Sequence, residues 1–484
     1  MSYSPSLVFF LERLSGFSTN YFRLEPQSGE KYSSGRLIRF TLPSNALLNM
    51  RTFAMHFNAT IAGGNRARLP AKIDSLIERV EVSAGGIQLS QGLNFYNVLR
   101  HAKDALTGNK ANAAQGHPEI VREVSYVDGS DKGGGNETYT PKSKEGLFCI
   151  NHWEGFLGTC EPKILDTSLL PDLVVTIYLT TNNVLTDSRG TSMDTDAGSA
   201  ANSFYVKQPT SAATYELENV HATIECIGLA DATYDNMVSS MIAQKGFVEV
   251  PFKQYFSFNN AHSGTTRFTV ATQSLDRVWL GFRDSDFNSG VQAPHPVAGH
   301  LTGTETTATF TRGGGGDITA ASVVEVGRSA YGGRFDTNKE KFVGPYYRFQ
   351  ECKGSNDTDD WNPGAIHDGT VPTYQLQLNG AYYPQFSATA EEMFEVSRNS
   401  VIGGQILSNM SMQQYKDSYF VMCARFNMPD SEFSRTISGL DTRSVSLNGY
   451  FNTMNVEGEP NLVIFCECSS TLRIGAGRQI EVIS

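Results

Sequence analysis

Apolar and polar residues alternate with a period of two over much of this chain. Leu173, Val175, Ile177 and Leu179 alternate with Val174, Thr176 and Tyr178. Val220, Ala222, Ile224 and Cys226 alternate with His221, Thr223 and Glu225, while Val248, Val250, Phe252, Phe256 and Phe258 share one parity. Residues 461–468 form a run of the buried type, after which Leu472 and Ile474 resume the alternation. A period of two puts every second side chain on one face, so these stretches predict half-buried strands. They recur between Gly-, Asn- and Asp-rich turns without regular helical patterns, which predicts sandwiches and not a parallel α/β sheet. Helical signal is sparse. Residues 234–244 carry Met237 and Met241 four apart and stop at Gly246, and residues 94–106 stop at Gly108.

The second half loosely repeats the first. Arg39-Phe40-Thr41-Leu42 returns as Arg267-Phe268-Thr269-Val270, an offset of 228 counted from 39 to 267. The alternating run Phe53, Met55, Phe57 returns as Val278, Leu280, Phe282. Val80-x-Val82 with Gly85-Gly86 is echoed by Leu376-x-Leu378 with Asn379-Gly380, and Phe95-Tyr96-Asn97-Val98 by Met393-Phe394-Glu395-Val396. The last pair is offset by 298, counted from 95 to 393, so about 70 residues are added within the second copy. The order of the anchors predicts one β-rich module used twice, with the 234–244 helix as connector. The 484 residues accommodate two such modules. Residues 107–144, 186–214 and 284–341 fit no regular element and are expected to be long projecting loops.

Composition narrows the classes. No apolar run approaches the roughly 18 residues of a membrane span. The start, Met1 to Phe10, lacks a basic region ahead of its apolar residues, so it does not read as a secretory signal and manufacture in the cytosol is expected. The formal net charge is −11 and no Lys/Arg cluster tracks a phosphate backbone, so direct nucleic-acid binding is not expected. The seven cysteines are scattered, and only Cys466 and Cys468 are close, on one face of a strand. Buried reduced thiols are the expectation.

No catalytic constellation emerges. The nine histidines form no His-x-His, His-Glu-x-x-His or His-x-x-x-His pattern. His295 and His300 fall in a predicted loop, where a metal site is disfavoured. There is no Gly-x-Ser-x-Gly elbow and no phosphate loop. Gly475-Ala-Gly477-Arg478 lacks a following helix and reads as a turn before a final strand over 479–483. Asp359-Asp360 and Glu391-Glu392 are the remaining hint of a carboxylate pair, and Trp361 and Tyr382-Tyr383 could stack on sugar rings, though packing explains them better. Asn58, Asn136, Asn356 and Asn409 open glycosylation sequons, taken as chance matches.

The whole chain resembles the double jelly-roll major capsid proteins of double-stranded DNA viruses, most of all those of polinton-like viruses and virophages. The resemblance is carried by residues 69–86 with Asn94-Phe-Tyr-Asn-Val98, by Tyr215-Glu-Leu-Glu-Asn-Val220 leading to 246–255, and by Ser438-Gly-Leu-Asp-Thr442 and 471–482. It implies an all-β fold of two tandem eight-stranded jelly-roll sandwiches with long loops and few short helices. The expected division is an N-terminal arm over 1–29, a first jelly roll over 30–230, a linker helix over 231–246 and a second jelly roll over 247–484. The implied function is a structural one, without enzymatic activity. Three chains form a pseudo-hexameric capsomer that tiles an icosahedral shell. Its partners are neighbouring capsomers with penton and minor capsid proteins, and its place is the virion after synthesis in the host cytoplasm. No catalytic, cofactor-binding or metal residue is assigned. The alternative is a jelly-roll protein that binds glycan or attaches to a host; a carboxylate-pair or cupin-like enzyme would need residues that do not appear.

Overall fold

The computed structural model describes residues 17–62, 67–69, 73–90, 93–107, 147–184, 186–187, 202–203, 214–229, 232–283, 300–302, 309–312, 316–318, 334–335, 342–343, 349, 351–352, 354, 370–402, 412, 415–416, 420–427, 439–443, 448–456 and 460–483. Sixteen strands carry the architecture. In the first half they are β1 Phe17–Leu24, β2 Leu37–Thr41, β3 Leu47–Ala62, β4 Ile77–Ala84, β5 Ile87–Gln88, β6 Phe148–Ile150, β7 Leu173–Leu179 and β8 Thr214–Leu229. In the second they are β9 Phe247–Ala261, β10 Thr265–Thr269, β11 Leu275–Arg283, β12 Thr373–Leu378, β13 Ala381–Ala388, β14 Val421–Arg425, β15 Asn448–Met454 and β16 Asn461–Gly475. Hydrogen bonding orders them β1-β8-β3-β6 against β2-β7-β4-β5, then β9-β16-β11-β14 against β10-β15-β12-β13. All these pairings are antiparallel, and the order is that of two Greek keys wound into a jelly roll. The second half repeats it strand for strand.

Within each half the two sheets bury their apolar faces against each other. Phe40 of β2 meets Phe53 of β3 at 6.0 Å between ring centroids. In the second half Phe258 of β9 meets Phe268 of β10 at 6.0 Å, and Phe282 of β11 meets Tyr374 of β12 at 6.0 Å. β2 and β10 have the same alternation of exposed and buried positions, with Ile38 and Phe40 inward in one and Thr266 and Phe268 in the other. Each such apolar side chain contributes about 1.5–3 kcal/mol by leaving water.

The repeat seen in the sequence falls on equivalent elements. Its first anchors lie on β2 and β10, its alternating runs on β3 and β11, and its third anchors on β4 and β12. The jump in offset therefore lies between β11 and β12. The hairpins after β4 and β12 turn alike, because Gly85-Gly86 and Asn379-Gly380 all take positive φ, as a two-residue turn matched to strand twist requires. A helix follows in each copy, α1 Tyr96–Thr107 after β5 and α3 Ala390–Ile402 after β13, with α2 Ala232–Lys245 between the halves. The Gly246 N–H bonds the Ile242 carbonyl at 2.8 Å with φ 83°, closing α2 where predicted. Tyr234 and Val238 of α2 pack on Leu47 of the first half and Val248 of the second.

Phe17–Leu24 pairs along β8, so that part of the stretch expected as an arm is strand; residues 1–16 lie outside the described residues. The predicted loops over 107–144, 186–214 and 284–341 lie largely outside them as well. The final strand, β17 Ile480–Ile483, adds to β16 as expected. No described helix is long and apolar enough to cross a membrane.

Candidate functional site

The outer face of the β9-β16-β11-β14 sheet is where the two sandwiches meet. The inner face takes the even residues of β11 and β16, Val278, Leu280, Phe282, Leu462, Ile464, Cys466 and Cys468, all buried. The odd positions carry Lys253, Tyr255, Arg277, Trp279 and Glu467, which by alternation should face water. They do not. Their exposure is 1% or less, because α1 and residues 151–161 of the first sandwich cover them together with α3, whose Ser400 carbonyl accepts from Arg277 Nε at 3.2 Å.

Glu467 is the centre of one half of this seam. It accepts from Lys253 Nζ at 2.5 Å, Arg277 Nη1 at 3.0 Å and Trp279 Nε1 at 3.1 Å. Glu154 is the centre of the other. It accepts from Arg100 Nη1 at 2.9 Å, from Lys103 Nζ, and from the Tyr255 hydroxyl at 3.0 Å. Lys103 also donates to the Tyr255 hydroxyl at 3.1 Å, and Arg100 Nε lies 3.5 Å from Asp74. Tyr255 thus carries the network from one sandwich into the other.

Local structure fixes these groups. α1 puts Arg100 and Lys103 three residues apart on one face. Glu154 is held by its amide, which donates to the Tyr96 hydroxyl at 3.1 Å. The exposed edge of β9 is closed by the same segment: Lys253 N donates to Thr159 Oγ1 at 2.8 Å and Glu161 N to the Pro251 carbonyl at 2.8 Å. Phe156 meets Phe252 edge-on at 5.1 Å. Covering an edge in this way removes a template for unwanted strand pairing.

Burial and charge oppose each other here. Burial alone would raise the carboxyls of both Glu467 and Glu154. Lys253 and Arg277, with Lys103, outweigh it and hold Glu467 well below the usual carboxylate range; Lys103 and Arg100 lower Glu154 against its own burial. Burial lowers Lys103 despite its glutamate partner. Cys423, beside Trp279 on β14, has its thiol pushed far up by burial, so it stays protonated and packs as an apolar group. The seam can hold two bodies at one angle; it offers no activated nucleophile.

The residues singled out from the sequence are placed elsewhere. Cys466 and Cys468 point into the second core as free thiols. Glu391 pairs with Lys416 at 2.5 Å, and Glu392 accepts from the Thr389 amide at 2.9 Å, half of a capping box that starts α3. Tyr383 packs edge-on against Phe426 at 4.8 Å, while Tyr382 is exposed. Gly475–Arg478 is a turn, and Arg478 reaches the first sandwich, donating to the Ser168 carbonyl at 3.1 Å and to Asn45 Oδ1 at 3.1 Å. Asn58 lies on β3, opposite Glu218. His300 begins a short strand; His295, Asp359, Asp360, Trp361, Asn136, Asn356 and Asn409 lie outside the described residues. Among the described residues no group of three or more His, Cys, Asp and Glu is placed to hold a metal.

No protein-family model and no curated protein matches the chain. Solved structures do. The Faustovirus major capsid protein superposes with a TM-score of 0.51 over 96% of this chain and 91% of its own, at 11% identity. This is a double jelly-roll fold. PBCV-1 VP54, as fitted into a reconstruction of the virophage Sputnik, shares it with a TM-score of 0.53 over 98% of both chains at 13% identity. A quasi-atomic model of the PBCV-1 virus capsid shares it at 0.52, again over 98% of both chains, with 11% identity. At these identities the double jelly roll is common while most side chains differ.

Proposed function

We propose that this double jelly roll is a major capsid protein. Three copies form a pseudo-hexameric capsomer, and capsomers tile the icosahedral shell of a double-stranded DNA virus. The observation that carries the reading is the buried seam. It locks two sandwiches of one topology at a fixed angle inside one chain, so that each chain supplies two similar sides of a six-sided block. Head-to-tail contacts of this kind close into a ring when the rotation permits, and three chains then present six sandwiches. The fold shared over nearly the full length with the Faustovirus major capsid protein supports the same reading.

The reading includes a division into a first jelly roll through residue 230, a connector over 231–246 and a second jelly roll from 247. Its partners are further copies of the chain, neighbouring capsomers, and penton and minor capsid proteins. It takes no cofactor, works without catalytic or metal-binding residues, and contributes no direct nucleic-acid contact, in keeping with a net charge of −11. Its place is the virion. Light scattering of the purified protein with negative-stain imaging tests it. A particle of three times 53.0 kDa with a hexagonal outline is expected, and a monomer at every concentration overturns the reading.

A further inference from the structure

The two sandwiches carry matching positions on their equivalent outer faces, one sealed and the other open. Tyr255 of β9 stands opposite Glu467 of β16, and Tyr21 of β1 stands opposite Glu225 of β8. Next along the sheet, Glu467 pairs with Arg277 of β11, whereas the Glu225 amide donates to Thr52 Oγ1 of β3 at 3.0 Å. Tyr255 and Glu467 are buried beneath α1. Tyr21 is 62% exposed, and Glu225, Thr223, His56 and His221 around it are half-buried, with the two imidazoles stacked at 5.1 Å. Tyr21 is thus an exposed aromatic at the position that the second sandwich covers.

What the first sandwich contributes to the seal of the second face is α1, the helix after its fifth strand, while one side of α3 covers β14 of the same face. The equivalent of α1 is α3, and the repeat register that aligns Tyr96 with Phe394 also aligns Arg100 with Arg398. Arg398 lies over the Phe394 ring at 5.8 Å and its Nη2 donates to Glu395 Oε2 at 2.6 Å, while its buried Nε has no hydrogen-bond partner among the described residues. Glu391, Glu392 and Glu395 are exposed on the same helix, where each keeps a local partner (Lys416, the Thr389 amide and Arg398) and still faces outward. The open face offers the complement, Glu225 for the arginine and Arg23 for the glutamates.

We propose that the outer face of β1-β8-β3-β6, centred on Tyr21 and Glu225, docks α3 of a second copy of this chain. The contact repeats between chains the one that α1 makes within the chain. It rests on the capsomer reading and assigns the surface that reading leaves open. Each chain then advances the ring by two sandwiches, one through its internal seam and one through this contact.

The test is the mass of the full chain by light scattering for the wild type, Tyr21→Arg, Glu225→Arg, the double variant Glu225→Arg/Arg398→Glu, and Tyr382→Arg as a control on the opposite sheet. The expected result is a fall from three times 53.0 kDa to 53.0 kDa for Tyr21→Arg and Glu225→Arg with unchanged near-ultraviolet circular dichroism. The charge-swapped double variant regains the trimer and the control never loses it. Thr223→Lys on the same face replaces any variant that fails to fold. A wild-type trimer that survives every substitution on this face overturns the docking surface and leaves the capsomer standing. A wild-type monomer overturns the capsomer and this inference together.

Discussion

The outer sheet face of the second sandwich and that of the first have the same strand order and the same tyrosine–glutamate pair, yet they live in different media. Glu467 is fully buried among Lys253, Arg277 and Trp279; Glu225 is half-buried and bonded by Asn49 Nδ2 at 2.7 Å. The difference is which neighbour the chain itself supplies. α1 can reach the second face because it follows β5 in the same polypeptide, and once it is there every polar group beneath it must find a partner inside the protein. The sealed face therefore collected a charge network, while the open face kept groups that water can satisfy. Buried ion pairs are poor sources of net stability but costly to break, because removing one partner leaves the other desolvated. Such a seam sets geometry more than it adds stability.

The largest expected effect breaks the sealed face. Glu467→Gln leaves Lys253 and Arg277 buried without their counter-charge, and a loss of about 3–5 kcal/mol is expected. Urea midpoints of the full chain read it directly. A loss under about 1 kcal/mol would mean that water reaches the seam and that it does not hold the sandwiches rigidly.

Much of this fold was legible in residue parity, but the seam was not, and the reason is physical. Alternation on β9, β11 and β16 correctly separates Val278, Leu280, Cys466 and Cys468 from Arg277, Trp279 and Glu467. It says only that the second set faces outward. Whether outward means water depends on α1, more than 140 residues earlier in the chain than β9. Two signals were available: Glu467 interrupts a run buried on both faces, and Trp279 shares a parity with Arg277. The repeat was legible because turn chemistry and core positions are the same in both copies, as Gly85-Gly86 and Asn379-Gly380 show. The site expectations that rested on local spacing, such as Glu391-Glu392, resolve into helix capping and an ion pair.

Acid should sharpen the contrast from inside the second core. His262 is fully buried there, bonded through Nδ1 to Thr266 Oγ1 at 2.6 Å and through Nε2 to Thr453 Oγ1 at 2.7 Å, and burial lowers its pKa to about 4. A depressed histidine contributes stability that is complete above its unfolded pKa of about 6.5 and is lost as pH falls through the folded value. The full span is worth about 3 kcal/mol. Asp276 works against it. Burial raises its carboxyl to about 6, so its contribution is present below an unfolded value near 3.8 and is lost as pH rises through 6. Comparing wild type with His262→Asn at pH 7 and pH 4 isolates the histidine. The variant should lose about 3 kcal/mol less on acidification, and an identical acid loss in the two proteins would show that His262 charges without opening the core.

The smallest expected effect belongs to the open face. Glu225→Gln removes a carboxylate that water still reaches and that Asn49 still partners, and in the isolated chain it should cost less than about 1 kcal/mol. Its value lies in the ratio to Glu467→Gln measured on the same urea curve. If Glu225 sits on a surface covered only in the assembled particle, its substitution should be nearly silent below the concentration at which chains associate. Above that concentration the penalty should grow. A cost that is the same at every protein concentration would mean that no second chain covers this face. The two faces would then differ by local sequence alone, and not by whether their covering helix arrives from within the chain or from outside it.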